Sequence, residues 1–138
     1  MSAATGLAPA LDGVRLSLHV LAAAVWVGGQ FTLAGIVPAA RTLGPTAPRT
    51  LARAFARLQW PAFILLVATG IWNVSAVNSG QPNTWQTVLS VKIGVVVLSG
   101  VGAYLHTRAT TPRALAAWGA VAALSALSAL VLGVFLAG

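Results

Sequence analysis

Four apolar stretches alternate with short polar connections along the chain, at about 14–37, 60–77, 85–105 and 114–137. Each is close to the ~20 residues with which a helix crosses a hydrocarbon core. The first connection, 39–59, holds Gly44, Pro45 and Pro48, and reads as a turn followed by a basic amphipathic lead-in helix. The second, Asn78 to Thr84, has turn residues and no charge, and the third is a short turn at Pro112 and Arg113. Pro38 is expected to close span one. Pro61 is expected to sit near the first turn of span two, where a missing N–H is tolerated. Residues 1–13 read as frayed or interfacial. The pattern predicts an all-α fold: one integral-membrane four-helix bundle over 1–138, in up-down-up-down order.

Composition supports this reading and narrows the function. The chain is 58% hydrophobic and 7% charged, against about a quarter charged in an ordinary soluble domain. Its net charge of +7 does not point to nucleic acid, because Arg41, Arg49, Arg53, Arg57, Arg108 and Arg113 all lie in two connections between apolar runs. By the positive-inside rule those connections, 39–59 and 106–113, belong in the cytoplasm of a multi-pass cell-membrane protein, with both termini outward. Residues 1–14 carry no basic side chain, and the run after them exceeds the ~7–15 residues of a signal-peptide core. Span one is therefore expected to be retained.

The chemistry available is sparse. There is no Cys, and the single Met is residue 1, so soft sulfur ligands for Cu(I) are lacking. No Ser-His-acid set, paired carboxylate, phosphate-cradling glycine loop or HExxH is present, and Asp12 is the only acid. Hydrolysis is excluded. If the protein is an enzyme at all, a haem-dependent oxidoreductase is the class left open.

What remains is a set of polar residues inside the spans. Arg15, His19, Trp26 and Gln30 lie along one face of span one, and Trp85, Lys92, Ser99 and His106 recur every seven residues in span three. Span two repeats the stripe more weakly with Gln59, Leu66 and Asn73. Counting ~1.5 Å per residue places His19 and Lys92 ~8–10 Å from the midplane in the same leaflet, with Asn73 and Trp72 toward that side and Arg15 at its mouth. His106 falls at the other end, roughly 25 Å or more away. An intramembrane lysine costs ~2.5–3.5 kcal/mol unless it snorkels or is paired, and no span supplies a carboxylate. An anionic ligand would meet that need; snorkelling is the plain alternative, as an interhelical hydrogen bond is for His19. Trp26, Trp72 and Gly28-Gly29 also fit ordinary helix packing. Trp60, Trp85, Trp118 and Tyr104 fit an interfacial belt. Gly119 with Ala123 gives a small-xxx-small spacing for close helix approach.

The run His19-Val-Leu-Ala-Ala-Ala-Val-Trp26-Val-Gly28-Gly29, followed by Pro38 and Arg41, resembles the first helix of the CopD copper-resistance membrane domain. Pro61…Thr69-Gly70-Ile-Trp72 and Leu89-Ser-Val-Lys92-Ile-Gly-Val-Val are similar to the next two helices of that domain. The resemblance implies a protein that binds or transfers copper at an outward-facing site centred on His19, whose second ligand comes from a homodimer mate or from a periplasmic or extracellular metal-carrying protein. A related family, the four-helix membrane protoporphyrinogen oxidases, binds haem b and likewise has a first-span His followed by Trp and a third-span Lys. That likeness implies His19 as axial ligand, Lys92 and Arg15 near the propionates or Lys92 as a second ligand, and Trp26 or Trp72 against the ring. Two further expectations are thus copper at His19 and haem b at the wider set; a cofactor-free packing protein in the lipid bilayer is the third reading.

Overall fold

A computed structural model describes residues 9–137; residues 1–8 and 138 lie outside the described part. Within it the chain forms four helices and no strand: α1 (Ala10–Thr42), α2 (Ala47–Ser75), α3 (Asn83–Arg108) and α4 (Pro112–Ala137). All four are long and apolar enough to cross a membrane. Large apolar side chains such as Val20, Ile64, Val97 and Leu124 stand on the outside, whereas the buried positions are mostly Ala, Ser and Thr. That arrangement reverses a soluble core and is the one lipid favours, since helix association in a bilayer depends on close backbone approach rather than on hiding apolar surface. The chain is a multi-pass membrane protein.

Side-chain pairings set the directions of the helices. Arg15 and His19 of α1 meet Asn73 and Thr69 of α2, so those two are antiparallel. Trp85, Ser99 and His106 of α3 meet Leu136, Ala122 and Leu115 of α4, also antiparallel. The pairs join at the centre, where the Trp26 indole N–H donates to Ser99 Oγ at 2.9 Å and Ser99 donates to the Ala122 carbonyl at 3.0 Å. Trp26 stacks on Phe63 with centroids 4.3 Å apart and leans on Trp60 at 5.6 Å. Trp60, expected in an interfacial belt, thus lines the core.

The prolines behave differently from the expectation. Pro38 lies inside α1, which continues to Thr42. Pro61 lies in the middle of α2, which begins fourteen residues earlier at Ala47. Each proline forfeits one backbone bond, but in a bilayer a continuous helix satisfies every other backbone group, whereas ending it would expose several. Pro48, at the first turn of α2, takes the tolerated place. The lead-in and span two are consequently one helix of 29 residues. At the other end of α1, Ala10 to Gly13 are helical rather than frayed. Gly44 and Gly80, with φ of +135° and +98°, make the turns into α2 and before α3 that a side chain would strain.

Helix α1 carries one irregularity, a π turn over Ala24–Gly28. Such turns leave carbonyls short of donors. Gln30 Nε2 donates to the Trp26 carbonyl at 3.0 Å, and Thr32 Oγ1 donates to the Gly28 carbonyl at 2.8 Å. This accounts for Gln30: its amide stays on its own helix and supports the turn that aims Trp26 at Ser99.

Candidate cofactor site

The level of each residue follows from the pairing at the centre. Helices α1 and α3 run parallel, and Trp26 meets Ser99; His19 and Lys92 each lie seven residues before those two positions. They therefore share a level, at the end of the bundle opposite the basic connections. His106 lies fourteen residues, ~21 Å, farther along α3 than Lys92 and joins a separate contact with Leu115 and Gly119 of α4.

The hydrogen bonds around Thr69 decide the form of His19. Thr69 Oγ1 has one proton, and it lies 2.7 Å from the Leu65 carbonyl and 3.1 Å from that of Leu66, both of which can only accept. Toward His19 the hydroxyl must accept, so Nδ1–H donates to it at 2.9 Å. In the neutral imidazole this leaves the lone pair on Nε2. A histidine whose Nδ1–H is held by an oxygen, with Nε2 free, is the arrangement found in ligating histidines. The ring is half-buried and rests beside Gly70, where a Cβ would stand 3.5 Å from Cε1.

Lys92 crosses to α4. A Cβ at position 133 would stand 2.9 Å from its Nζ, so Gly133 supplies the space it occupies. Lys92 makes no ion pair or hydrogen bond among the described residues. It belongs to a ladder in which every member of the seven-residue stripe on α3 touches α4: Trp85 at Leu136, Lys92 at Gly133, Ser99 at Ala122 and His106 at Leu115.

The other expected site residues have different partners. Arg15 is only 9% exposed, and its guanidinium donates to Asp12 at 2.9 Å and to the Asn73 carbonyl at 3.3 Å. Arg15 thus has an acid of its own, in the first turn of its helix, while Lys92 has none among the described residues. Asn73 offers its backbone to Arg15, while its side-chain Oδ1 is buried without a partner. Trp26 is 2% exposed and bound to Ser99, which makes it part of the central packing. Trp72 is 42% exposed on the surface of α2.

Three contributors escaped the residue-by-residue reading: Thr69, Gly70 and Gly133. Thr69 did carry a signal. It stands four residues before Asn73, as His19 stands four after Arg15, so two antiparallel helices that join one pair must join the other.

The donor set can be weighed against each metal centre. A bare copper ion requires several N or S donors, yet no group of three His, Cys, Asp or Glu exists among the described residues, and His19 is alone at its level. Haem brings four nitrogens of its own and asks the protein for one imidazole; His19 meets that demand, with Lys92 as a cation for a carboxylate. No protein family, curated protein or solved structure matches the chain.

Proposed function

We propose that this is an integral membrane protein of the cell membrane that binds haem b, with His19 Nε2 as the axial ligand. The observation that carries the reading is the hydrogen bond from His19 Nδ1 to Thr69, which leaves the Nε2 lone pair for a ligand at the level of Lys92. Thr69 fixes the tautomer and the ring's orientation; Lys92 balances a propionate. Bound haem would supply one-electron chemistry, as in porphyrin oxidation or electron transfer. Arg15 holds α1 to α2 at the mouth rather than a propionate. In this reading the basic connections face the cytoplasm, and the His19 level lies in the outward half of the bilayer.

Absorbance and metal analysis of the purified protein test it. After expression with ample haem, the wild type is expected to show a Soret band that His19→Ala abolishes; an unchanged band in the variant would remove His19 from the role. Thr69→Val leaves Nδ1–H without its acceptor and is expected to weaken haem binding ~10–100-fold, the usual effect of deleting a ligand's supporting partner. Thr69→Ser keeps the hydroxyl and should restore binding, as read by titration of the Soret absorbance.

Copper is a second reading, favoured by the half-buried state of the His19 ring. A donor from a second copy or from a metal-carrying partner can reach such a ring and complete the coordination. Copper without a Soret band in the wild type, lost in His19→Ala, would select it. Neither metal nor haem in any sample would reduce His19 and Thr69 to a helix-to-helix hydrogen bond.

A further inference from the structure

The basic end of the bundle carries a second feature that the site does not use. Arg49, Arg53 and Arg57 of α2 recur every four residues and therefore form one stripe along the helix. All three are exposed. The chain has a single acidic side chain, Asp12, and it is bound to Arg15 at the opposite end. No side-chain carboxylate of this protein is left to neutralise the stripe. Arg41, Arg108 and Arg113 are exposed at the same end and raise its potential further, Arg108 being steadied by two bonds to the Tyr104 hydroxyl.

The length of α2 sets the depth of the stripe. From Ser75, Arg57, Arg53 and Arg49 lie ~27, ~33 and ~39 Å along the helix. A hydrocarbon core is ~30 Å thick, and its headgroup layers bring a bilayer to ~40–45 Å. With Ser75 at one interface, Arg57 stands at the opposite boundary of the hydrocarbon, Arg53 among the headgroups and Arg49 at their outer edge. Leu51 and Leu58, 38% and 57% exposed, stand on another side of the same segment, with Leu58 at the depth of the acyl chains.

We propose that Arg49, Arg53 and Arg57 form a docking site for the phosphate headgroup of an anionic phospholipid. The stripe continues without a break into a membrane-spanning helix, so its cations lie where lipid phosphates are and carry no internal counter-ion. Their positive charge is what attracts an anionic headgroup at that depth, at about 1 kcal/mol for each Lys or Arg near the surface.

The full chain, purified in mild detergent, would be titrated with phosphatidylglycerol and with phosphatidylcholine, and bound lipid counted by native mass spectrometry. Wild type is expected to prefer the anionic lipid. At about fivefold per arginine near a surface, R49Q/R53Q/R57Q should lose roughly a hundredfold of that preference. The corresponding triple lysine variant keeps the charge and should retain most of it, which separates charge from folding. Equal binding of the two lipids by wild type, undiminished preference in the glutamine variant, or loss of preference in the lysine variant would each overturn the proposal. So would displacement of phosphatidylglycerol by a short oligonucleotide at equal phosphate concentration, which would reassign the stripe to a soluble polyanion.

Discussion

Trp26→Ala is expected to destabilise the bundle by about 3–5 kcal/mol, the range for emptying a buried Trp site. The side chain lies where the two antiparallel pairs meet, stacked on Phe63 at 4.3 Å and against Trp60 at 5.6 Å. Removing it opens a cavity bordered by Ala22, Leu66 and Ala126, none of which is long enough to fill the space. In a bilayer the loss is one of packing, because lipid solvates an exposed ring about as well as the protein interior does. The hydrogen bond to Ser99 is a smaller part of the total. Trp26→Phe retains a six-membered ring against Phe63 but loses that bond and the volume of the second ring, while Ser99 still donates to Ala122 at 3.0 Å. It should cost about 1–2 kcal/mol, less than the Ala variant. Unfolding of the purified protein by graded denaturing detergent, followed by far-UV circular dichroism, measures both variants. A Phe variant as unstable as the Ala variant would show that the indole N–H, not the ring's bulk, holds the pairs together.

The bundle was legible because hydrophobic runs of spanning length have few alternative folds, and the stripe on α3 was legible because a seven-residue repeat keeps one face toward one neighbour. The level shared by His19 and Lys92 followed from counting residues, and the meeting of Trp26 with Ser99 fits it. What stayed hidden depends on pairing between helices. Asp12 falls in a stretch that reads from sequence as frayed or interfacial, and one more turn of α1 brings its carboxylate within 2.9 Å of Arg15. Trp60 looked like a belt residue from its position at the edge of an apolar run, but α2 begins at Ala47, which moves Trp60 well inside the helix. Gln30 could not be read because nothing in the local pattern announces the π turn whose carbonyl it satisfies. Glycine spacing misled in the same way. Gly119 was expected to bring helix backbones together, whereas the His106 ring fills that position, with Nδ1 3.1 Å from where a Cβ would stand.

Among the glycines of the described residues, Gly102 is the one whose added Cβ would meet another helix's backbone, and Gly102→Val is expected to separate α3 from α4. A Cβ there would stand 3.0 Å from the Ala122 amide nitrogen, 3.3 Å from its Cα and 3.1 Å from Val121 Cγ1. Two of the three obstacles are backbone atoms of a regular helix, which cannot turn aside as a flexible side chain can. Accommodation therefore requires α4 to move as a body. Such movement stretches the rungs on either side, Ser99 to Ala122 at 3.0 Å and His106 to Leu115 at 2.8 Å. Overpacking of this kind costs about 1–3 kcal/mol, and more where backbone must shift; loss of the adjoining hydrogen bonds places this variant at the upper end. Gly94→Ala is the matched control, because a Cβ at 94 meets nothing within 4 Å. It should be neutral or stabilising by up to about 1 kcal/mol through helix propensity. The same detergent titration reads both, and cysteines introduced at the exposed positions 97 and 124 into the wild-type and Gly102→Val backgrounds would report the distance between α3 and α4 by spin-label spectroscopy. An unchanged distance in Gly102→Val, with stability equal to that of Gly94→Ala, would show that the two helices are not held by contact at this glycine.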